Sequence, residues 1–469
     1  MRQVEVIVLG AGPAGYACAI RLAQLGKKVL IIDEAELGGV CLNRGCIPSK
    51  ALIHAGSFYE RMSQVQTMGI EVDGLKMHLN RLMEWKDSVV KKLTQGIHHL
   101  FHANGCELLK GRARFLSSHT LEVDVIEEKQ VIDFQVCIIA TGSRPMELSG
   151  FEVDQVRILD STGALNLNQI PRSLLCIGGG YIGLELGTFY AKIGTKVKIV
   201  ENGSVILREM DSELRETVLN RLQQLGIEVC FNQTLKGSQK MIEGVQVCLE
   251  SNGVETKQVY EKVLVSIGRK PNSDQLGLKE IGVQMDEKGF ILVNRQQQTS
   301  IPHLYAIGDI TGPPLLAHKA SKEAMVAAEV IAGKKMRYEV IGMPIVIFTD
   351  PEIATVGFTE KQAKDQGYQV QVSKVPYTIN GRALGMGESQ GWIKIVSDQS
   401  SHLLLGVQIA GAQASHLISE GTLALEMGAQ LEDLALTLRP HPTLSEIFME
   451  AAQVNLGSSI HFYQRKSEK

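Results

Sequence analysis

The sequence predicts an α/β fold with two doubly wound parallel-sheet domains, the first interrupted by the second, followed by a C-terminal α+β domain. Three observations predict it. A strand–glycine turn–helix–strand unit opens the chain, a second copy of that unit begins near residue 174, and strands with polar alternation replace apolar ones after about residue 341. The 469 residues exceed what one hydrophobic core usually holds, so several domains are expected.

The opening unit begins with the β-branched run at residues 4–9, which is typical of a buried parallel strand. The strand leads into a turn with Gly10, Gly12 and Gly15, then a helix and a second strand that ends at Asp33. Glycines let the backbone approach a pyrophosphate, the helix N-terminus stabilises its charge, and the acid can accept from a ribose hydroxyl. Because all these parts are in place, a dinucleotide site is favoured over a merely tight strand–helix turn.

The second unit repeats this order with Gly178, Gly180 and Gly183 in the turn and Glu201 after the next strand. Glu201 follows Gly178 by 23 positions, the same separation that the first unit has between its first glycine and its acid. Chance is a poor explanation for two glycine patterns and two acids in register. We therefore predict an internal repeat and two dinucleotide sites.

Composition and charge exclude several classes of function. The net charge of −3 provides no basic surface for nucleic acid, and no apolar run reaches the ~18 residues that a membrane-spanning helix needs. The 8 cysteines are scattered, apart from Cys41 and Cys46, and form neither a secreted disulfide framework nor paired CxxC metal ligands, so no metal site is predicted. The first residues lack a signal-peptide pattern, and we expect a cytoplasmic protein.

Cys41 and Cys46 stand five positions apart near the start of a predicted helix. They could be a buried thiol pair, since free cysteine behaves as a small hydrophobe, or a redox disulfide. Positions i and i+5 of an ideal helix lie about 140° apart, so a bond between them needs a distorted turn. Gly45 and Pro48 supply two ways to distort it. This stretch alone supports both interpretations equally.

Two buried strands end in similar glycine–proline segments, which suggests exits from the nucleotide domains. The first exit contains Thr141 and Gly142, and the second begins at Gly268. We predict a first nucleotide domain at 1–146, a second at 147–270, a central segment completing the first at 271–341, and a C-terminal domain at 342–469.

Three polar residues lie near the ends of other predicted elements. Asp309 stands at the carboxyl end of a strand, where ligands lie in open parallel sheets, and a helix begins after it at Ala317. Near the chain end, Glu446 follows His441 by five positions. From the residues alone, His441 is better interpreted as an ordinary turn histidine than as a catalytic base.

In this order the motifs resemble those of the FAD-dependent pyridine nucleotide–disulfide oxidoreductases over essentially the whole chain. The stretch 38–50 is similar to the branch that acts on lipoamide. The resemblance implies an FAD site with Gly10, Gly12, Gly15, Asp33, Lys50, Thr141, Gly142, Asp309 and Ala317. It implies an NAD site with Gly178, Gly180, Gly183, Glu201 and Gly268.

The resemblance also implies roles for the cysteine pair and its surroundings. Cys41 would meet a dithiol substrate and Cys46 would lie against the flavin. A thiol with a pKa near ~8.5 is mostly protonated at pH 7, so its attack needs a base. The resemblance implies that His441, held by Glu446, is that base.

The same resemblance implies roles for Lys50, Glu185, Tyr181 and Glu201. Lys50 would pair with Glu185 beside the flavin. Tyr181 would either cover the nicotinamide pocket or simply pack. The carboxylate of Glu201 favours NAD over NADP because it would repel a 2′-phosphate.

The implied activity is oxidation of protein-bound dihydrolipoamide with reduction of NAD⁺, as the shared dehydrogenase component of 2-oxo acid dehydrogenase complexes or the glycine cleavage system. The implied partners are a second copy of the chain and a lipoylated acyltransferase component or carrier protein. Two alternatives stay open. One is a related reductase of another low-molecular-weight disulfide, and the other is a non-catalytic FAD-binding assembly subunit.

Overall fold

The computed structural model describes residues 2–126 and 128–463. The chain forms two compact units. The first holds the described residues up to Ser173 with Leu235–Leu249 and Glu255–Glu339, and the second holds Leu174–Thr234, Glu250–Val254 and the described residues from Val340 onward. A segment of the second unit thus interrupts the first. The predicted α/β fold class is confirmed, and the bounds of the four predicted segments stay predictions.

The N-terminal part of the first unit alternates apolar strands with helices, as its sequence pattern predicts. Its elements are β1 (Arg2–Leu9), α1 (Pro13–Gln24), β2 (Val29–Asp33), α2 (Gly39–Arg44), α3 (Cys46–Met62), α4 (Leu79–Ala103), β3 (Glu107–Lys110), β4 (Arg112–Ser117), β5 (Thr120–Val125), β6 (Glu128–Ile139), β7 (Ser143–Pro145), β8 (Ile158–Leu159) and α5 (Ser161–Ala164).

The second unit begins with the second copy of the glycine-turn motif. Its elements up to residue 230 are β9 (Ser173–Ile177), α6 (Tyr181–Lys192), β10 (Lys196–Val200), α7 (Ser212–Gln224) and β11 (Glu228–Cys230). The strands lie in the order β11-β10-β9, and β10 pairs with β11 in parallel.

The chain then returns to the first unit, except for Glu250–Val254, which belong to the second. This part contains β12 (Thr234–Met241), β13 (Gly244–Ser251), β14 (Val254–Tyr260), β15 (Lys262–Val265), β16 (Arg269–Pro271), β17 (Leu304–Ala306) and α8 (Ala317–Ile331). Strands β12, β13 and β14 form a sheet of their own, and a 3-10 turn at Gly308–Thr311 connects β17 to α8.

One large sheet organises the first unit, with the order β3-β2-β1-β6-β5-β4. Strand β17 pairs with the carboxyl-terminal part of β6, on the same edge that β5 uses nearer the start of β6. The pairs β2/β3, β1/β2, β1/β6 and β6/β17 are parallel. Their carboxyl ends therefore lie at one edge of the sheet, which brings together Gly10 after β1, Asp33 at the end of β2 and Thr141 after β6. Apolar side chains bury both faces of β1, and this explains its continuous β-branched run.

The C-terminal part of the second unit is α+β. It contains β18 (Ile345–Ile347), β19 (Ile353–Gly357), α9 (Glu360–Asp365), β20 (Val370–Pro376), α10 (Gly381–Gly385), β21 (Trp392–Asp398), β22 (Leu404–Ala410), α11 (Ala414–Glu426), α12 (Leu431–Leu436) and α13 (Glu446–Asn455). The sheet order is β18-β19-β22-β21-β20, with antiparallel pairs throughout. Helices α11 and α13 pack their apolar faces on this sheet.

Within residues 2–126 and 128–463, no helix is both long and apolar enough to cross a membrane. The same residues contain no group of three or more histidine, cysteine, aspartate or glutamate side chains arranged to hold a metal ion.

Candidate active site

The two glycine turns are required by close backbone packing. Gly10 has φ 99°, and a Cβ on it would lie 2.3 Å from the Ala140 carbonyl oxygen. A Cβ on Gly15 would lie 1.8 Å from the carbonyl oxygen of Gly10. Gly178 has nearly the same φ as Gly10, 104°. In both turns the backbone conformation, and not only the motif, therefore requires glycine.

The acid of each unit fixes its own glycine turn in the same way. One carboxylate oxygen of Asp33 accepts from the Ala11 amide (2.6 Å) and the other from Ala35 (2.8 Å). Glu201 accepts from Gly179 (2.7 Å) and Gly203 (2.7 Å). The two units that the spacing predicts as a repeat thus also share the same hydrogen bonds between the acid and its glycine turn. Each ionised carboxylate has about four acceptor positions, which leaves capacity for a ribose hydroxyl.

A cleft of about 440 Å³ lies beside the first glycine turn, within the first unit. Of the residues predicted to hold FAD, Gly10, Asp33 and Thr141 line it. Helix α1 begins at Pro13, and its N-cap Gly12 makes no side-chain cap hydrogen bond, so amides of the first turn can donate to an anion. The donor set and the open cleft fit a dinucleotide with a pyrophosphate.

Asp309 is connected to this cleft through residues that the sequence analysis did not single out. Asp309 Oδ2 accepts from the Ser143 hydroxyl at 2.5 Å, and that hydroxyl oxygen accepts from Arg269 Nε at 2.8 Å. Ser143 and Arg269 lie on β7 and β16, which pair antiparallel. The two similar exit segments were the available signal, because their pairing brings the second exit to this cleft.

The buried pair Lys319 and Glu323 lies behind the Asp309 turn and was also missed. The two side chains are 3.0 Å apart on α8, whose first residue is Ala317. Glu323 accepts from the Gly308 amide (2.7 Å), and Lys319 donates to the Gly312 carbonyl (3.0 Å). Burial raises the pKa of Glu323 above its ordinary value, although Lys319 opposes the shift. The pair holds both ends of the turn that carries Asp309.

Cys41 and Cys46 form a disulfide, with their Cα atoms 4.7 Å apart. The helical turn is distorted at Gly45, which ends α2 and begins α3 with φ −147° and ψ −109°. This distortion brings Cys41 and Cys46 closer together than positions i and i+5 lie in an ideal helix. Of the two open interpretations, the structure therefore selects the disulfide. Cys41 is half-buried and Cys46 is exposed.

Lys50 and Glu185 belong to different units, and their pairing stays a prediction. Glu185 is buried on α6 and accepts from the Phe348 amide at 2.9 Å. Two residues further along, Asp350 accepts from Arg221 (3.0 Å) and pairs with Lys192 (2.8 Å). Asp350 thereby fixes the segment that orients Glu185 to helices α6 and α7.

His441 and Glu446 form the pair that the sequence places near the chain end. His441 Nδ1 lies 2.9 Å from Glu446 Oε1, and Glu446 Oε2 accepts from the Thr443 amide at 2.8 Å. Burial raises the pKa of Glu446, but the bonds from Thr443 and His441 outweigh it and hold that pKa below its ordinary value. An ionised carboxylate only accepts, so Nδ1 carries the proton and Nε2 is free to act as a base. The His441 side chain is 80% exposed.

The predicted NAD residues divide between the units. Gly178, Gly180, Gly183 and Glu201 lie in the second unit, where Gly180 is the N-cap of α6 and makes no side-chain cap hydrogen bond. Gly268 lies in the first unit, at φ 123°. Tyr181 is 43% exposed at the first position of α6.

Arg208 also lies in this region. A Cβ on Gly203 would be 2.8 Å from an Arg208 guanidinium nitrogen and 3.1 Å from Glu201 Oε1, which places Arg208 beside the acid. Arg208 is not among the residues predicted from the sequence.

Comparisons with known proteins agree with this arrangement. Residues 4–324 match the family model "Pyridine nucleotide-disulphide oxidoreductase", and residues 343–452 match the dimerisation domain of the same family. Dihydrolipoyl dehydrogenase from Geobacillus stearothermophilus is 49% identical over 98% of this chain and 97% of its own. The corresponding enzyme from Thermus scotoductus is 46% identical over 99% of this chain and 100% of its own.

Solved structures with the same fold include two chains at low identity. An Escherichia coli flavoprotein disulfide reductase induced by HOCl aligns with a TM-score of 0.87 at 25% identity, covering 97% of this chain and 100% of that chain. LpdA from Mycobacterium tuberculosis aligns with a TM-score of 0.90 at 24% identity, covering 97% and 99%. FAD and NAD are the cofactors of the matched family. With both family models matched in order, the chain belongs to the pyridine nucleotide–disulphide oxidoreductase family.

Proposed function

We propose that this enzyme oxidises protein-bound dihydrolipoamide to lipoamide and reduces NAD⁺ to NADH. The observation that carries the proposal is the Cys41–Cys46 disulfide, in a chain 49% identical to a dihydrolipoyl dehydrogenase. It would act as the shared dehydrogenase component of 2-oxo acid dehydrogenase complexes or of the glycine cleavage system. The cytoplasmic location stays a prediction.

The cysteine pair accepts two electrons from the substrate. A substrate thiolate attacks the Cys41 sulfur, the Cys41–Cys46 bond breaks, and Cys46 leaves as a thiolate. The second substrate thiol then attacks the mixed disulfide, which closes the lipoamide ring and releases Cys41. FAD, when bound, carries the two electrons from the reduced pair to NAD⁺.

His441 removes the protons that these attacks require. With Nδ1 donating to Glu446, the lone pair of Nε2 can accept the proton of a substrate thiol. The carboxylate keeps the imidazole in this tautomer and stabilises the charge that it gains. The half-exposed position of the disulfide and the exposed ring suit a substrate that is itself attached to a protein.

The cofactor residues are proposals on the same basis. Gly10, Gly12, Gly15, Asp33, Lys50, Thr141, Gly142, Asp309 and Ala317 would hold FAD. Gly178, Gly180, Gly183, Glu201 and Gly268 would hold NAD. Lys50 would pair with Glu185 beside the flavin, and Tyr181 would gate the nicotinamide pocket or pack beside it.

The proposed partners are a second copy of this chain and a lipoylated acyltransferase component or carrier protein. The match of residues 343–452 to a dimerisation domain supports the first. In the homodimer, His441 would serve the disulfide of the partner subunit. The names of the relatives support the second.

Rates on two substrate pairs test the proposal. We expect rapid NAD⁺ reduction with dihydrolipoamide and negligible NADH oxidation with oxidised glutathione. Anaerobic NADH followed by alkylation and mass spectrometry should label Cys41 and Cys46 but leave them unlabelled without NADH. Faster turnover of glutathione would contradict the substrate assignment.

The second candidate is a related reductase of another small disulfide. The 25% identical E. coli disulfide reductase favours it weakly, since that protein shares the fold over the whole chain.

A non-catalytic assembly subunit has no need of a disulfide that opens. Failure of NADH to expose both thiols would favour that alternative instead.

A further inference from the structure

Asn43 lies between the two cysteines, and its side chain binds the backbone that precedes them. Its amide nitrogen donates to the carbonyl oxygens of Leu37 and Gly39, both at 3.0 Å, and lies 3.5 Å from that of Glu36. A side-chain amide has two N–H donors, so the two shorter contacts use its donor capacity fully. Asn43 therefore connects α2 to the loop before it.

Helix α2 is also held by Leu42, which is buried in the core of the first unit, and by the Gly38 amide, which donates to the Ala11 carbonyl at 2.9 Å. It is six residues long, and its N-cap Gly38 makes no side-chain cap hydrogen bond. Gly38, which precedes the helix, and Gly39, its first residue, both have positive φ, at 98° and 58°. Gly45 ends the helix. Isolated helices of this length are unstable in water, so tertiary bonds must hold α2 in shape.

The side-chain oxygen of Asn43 contacts the long helix α4. The Thr94 hydroxyl on α4 has one hydrogen, which Asn43 Oδ1 (3.3 Å) shares with the Val90 carbonyl oxygen (3.1 Å). Helix α4 spans 25 residues and buries Ile97 and Phe101 in the core of the first unit. Asn43 thus joins the helix that carries Cys41 to a fixed element.

We infer that Asn43 is a positioning residue that keeps the Cys41 and Cys46 sulfurs close together when the disulfide is open. The inference deepens the proposed function and rests on its requirement that the disulfide opens during turnover. With the bond broken, the shape and position of α2 and its junction with α3 decide how close the two thiols stay. A rigid α2 raises their effective concentration and so favours reclosure.

The test is the thiol–disulfide equilibrium of the purified holoenzyme in anaerobic buffers of reduced and oxidised dithiothreitol, with the two states counted by alkylation and mass spectrometry. One dithiothreitol gives two electrons and two protons to the protein disulfide and becomes a cyclic disulfide. We expect Asn43→Ala to favour the dithiol form about tenfold, which is a potential about 30 mV less negative. Thr94→Val should shift it in the same direction, by about two- to threefold.

The matched control is Asn104→Ala. Asn104 also donates its amide to a carbonyl oxygen, that of Leu100 at 2.8 Å, but at the C-terminal end of α4. The Asn104→Ala variant should leave the thiol–disulfide equilibrium unchanged.

An unchanged equilibrium in Asn43→Ala, or an equal shift in the control, would overturn the inference. If Asn43→Ala does not fold, Thr94→Val decides. The measurement uses neither lipoamide nor NAD⁺, so a wrong substrate assignment would leave its result intact.

Discussion

At the scale of single residues, the two sulfurs of the disulfide have different expected roles. We expect Cys41→Ser to retain FAD and lose dihydrolipoamide turnover, because the sulfur that the substrate attacks is missing. Absorbance of bound flavin and the rate of NADH formation measure the two properties. Cys106→Ser is a suitable control, since Cys106 is a free, half-buried cysteine of the same unit. Undiminished turnover in Cys41→Ser would remove Cys41 from the mechanism.

Glu446 provides a second prediction at this scale. Glu446→Gln should slow dihydrolipoamide oxidation by about 10²-fold, because His441 loses the carboxylate that orients it and stabilises its charged form. Glu432→Gln is the matched control, since Glu432 also accepts from a histidine, His402, in the same unit. The control should keep wild-type turnover. Equal losses in the two variants would contradict a catalytic role for the His441–Glu446 pair.

The same substitution has a pH signature in stability. Glu446 has a lowered pKa in the folded protein, so its ionised form contributes stability that is fully present above its unfolded pKa of ~4.3. That contribution is lost as the pH falls through the lowered folded pKa. We therefore expect the thermal midpoint of Glu446→Gln to lie below wild type at pH 7 and to approach it below about pH 4. A difference that stays constant with pH would contradict this linkage.

At the scale of elements, the buried ion pair on α8 fixes the turn that carries Asp309. Lys319→Met leaves the Glu323 carboxylate buried without its ammonium partner, and we expect a loss of about 3–5 kcal/mol at pH 7. Burial already raises the pKa of Glu323, and removing Lys319 raises it further, so at low pH both folded proteins hold Glu323 protonated. The loss relative to wild type should therefore grow only as the pH rises above the raised folded pKa of the wild-type carboxyl. Denaturant unfolding across this pH range measures it.

Lys322→Met on the same helix is the control for this prediction, because Lys322 is exposed. It should change stability by no more than about 0.5 kcal/mol. If both lysine variants lose the same stability, the pair is not what holds the Asp309 turn. FAD affinity of the apoprotein, measured by flavin fluorescence, should fall in Lys319→Met and stay unchanged in Lys322→Met.

At the scale of the whole molecule, the proposed homodimer would place the base of one subunit at the disulfide of the other. Exposed apolar side chains in the matched dimerisation domain support an interface there, including Leu436 (80% exposed) and Leu438 (96% exposed). Purified heterodimers of one Cys41→Ser subunit and one His441→Gln subunit distinguish the two possibilities. With a shared site, one of the two sites is intact, and we expect about half of wild-type activity.

The homodimers of each variant are the controls, and both should have little activity. If His441 instead serves the disulfide of its own subunit, each site of the heterodimer carries one defect. An inactive heterodimer would therefore contradict the shared site. Differently tagged subunits allow the heterodimer to be isolated after coexpression.

The sequence by itself determined the repeat and the parts of the fold that follow from short-range pattern. Two glycine turns, two acids at equal spacing and buried β-branched runs are local features, and glycine at φ 99° and 104° is a requirement of the backbone itself. The contact between His441 and Glu446 is also local, because they are five positions apart, but the residues alone favoured an ordinary turn histidine and only the family resemblance implied a base.

Only the tertiary structure decided which features act together across long separations. The cysteine spacing left a thiol pair and a disulfide equally supported until the break at Gly45 brought the Cα atoms to 4.7 Å. Ser143 and Arg269 meet because β7 and β16 pair, a contact across 126 positions that no local pattern encodes. The hydrogen bond between Thr94 and Asn43 likewise depends on how α4 packs beside α2. Side-chain periodicity predicts elements, whereas these contacts depend on the packing of elements that are distant in sequence.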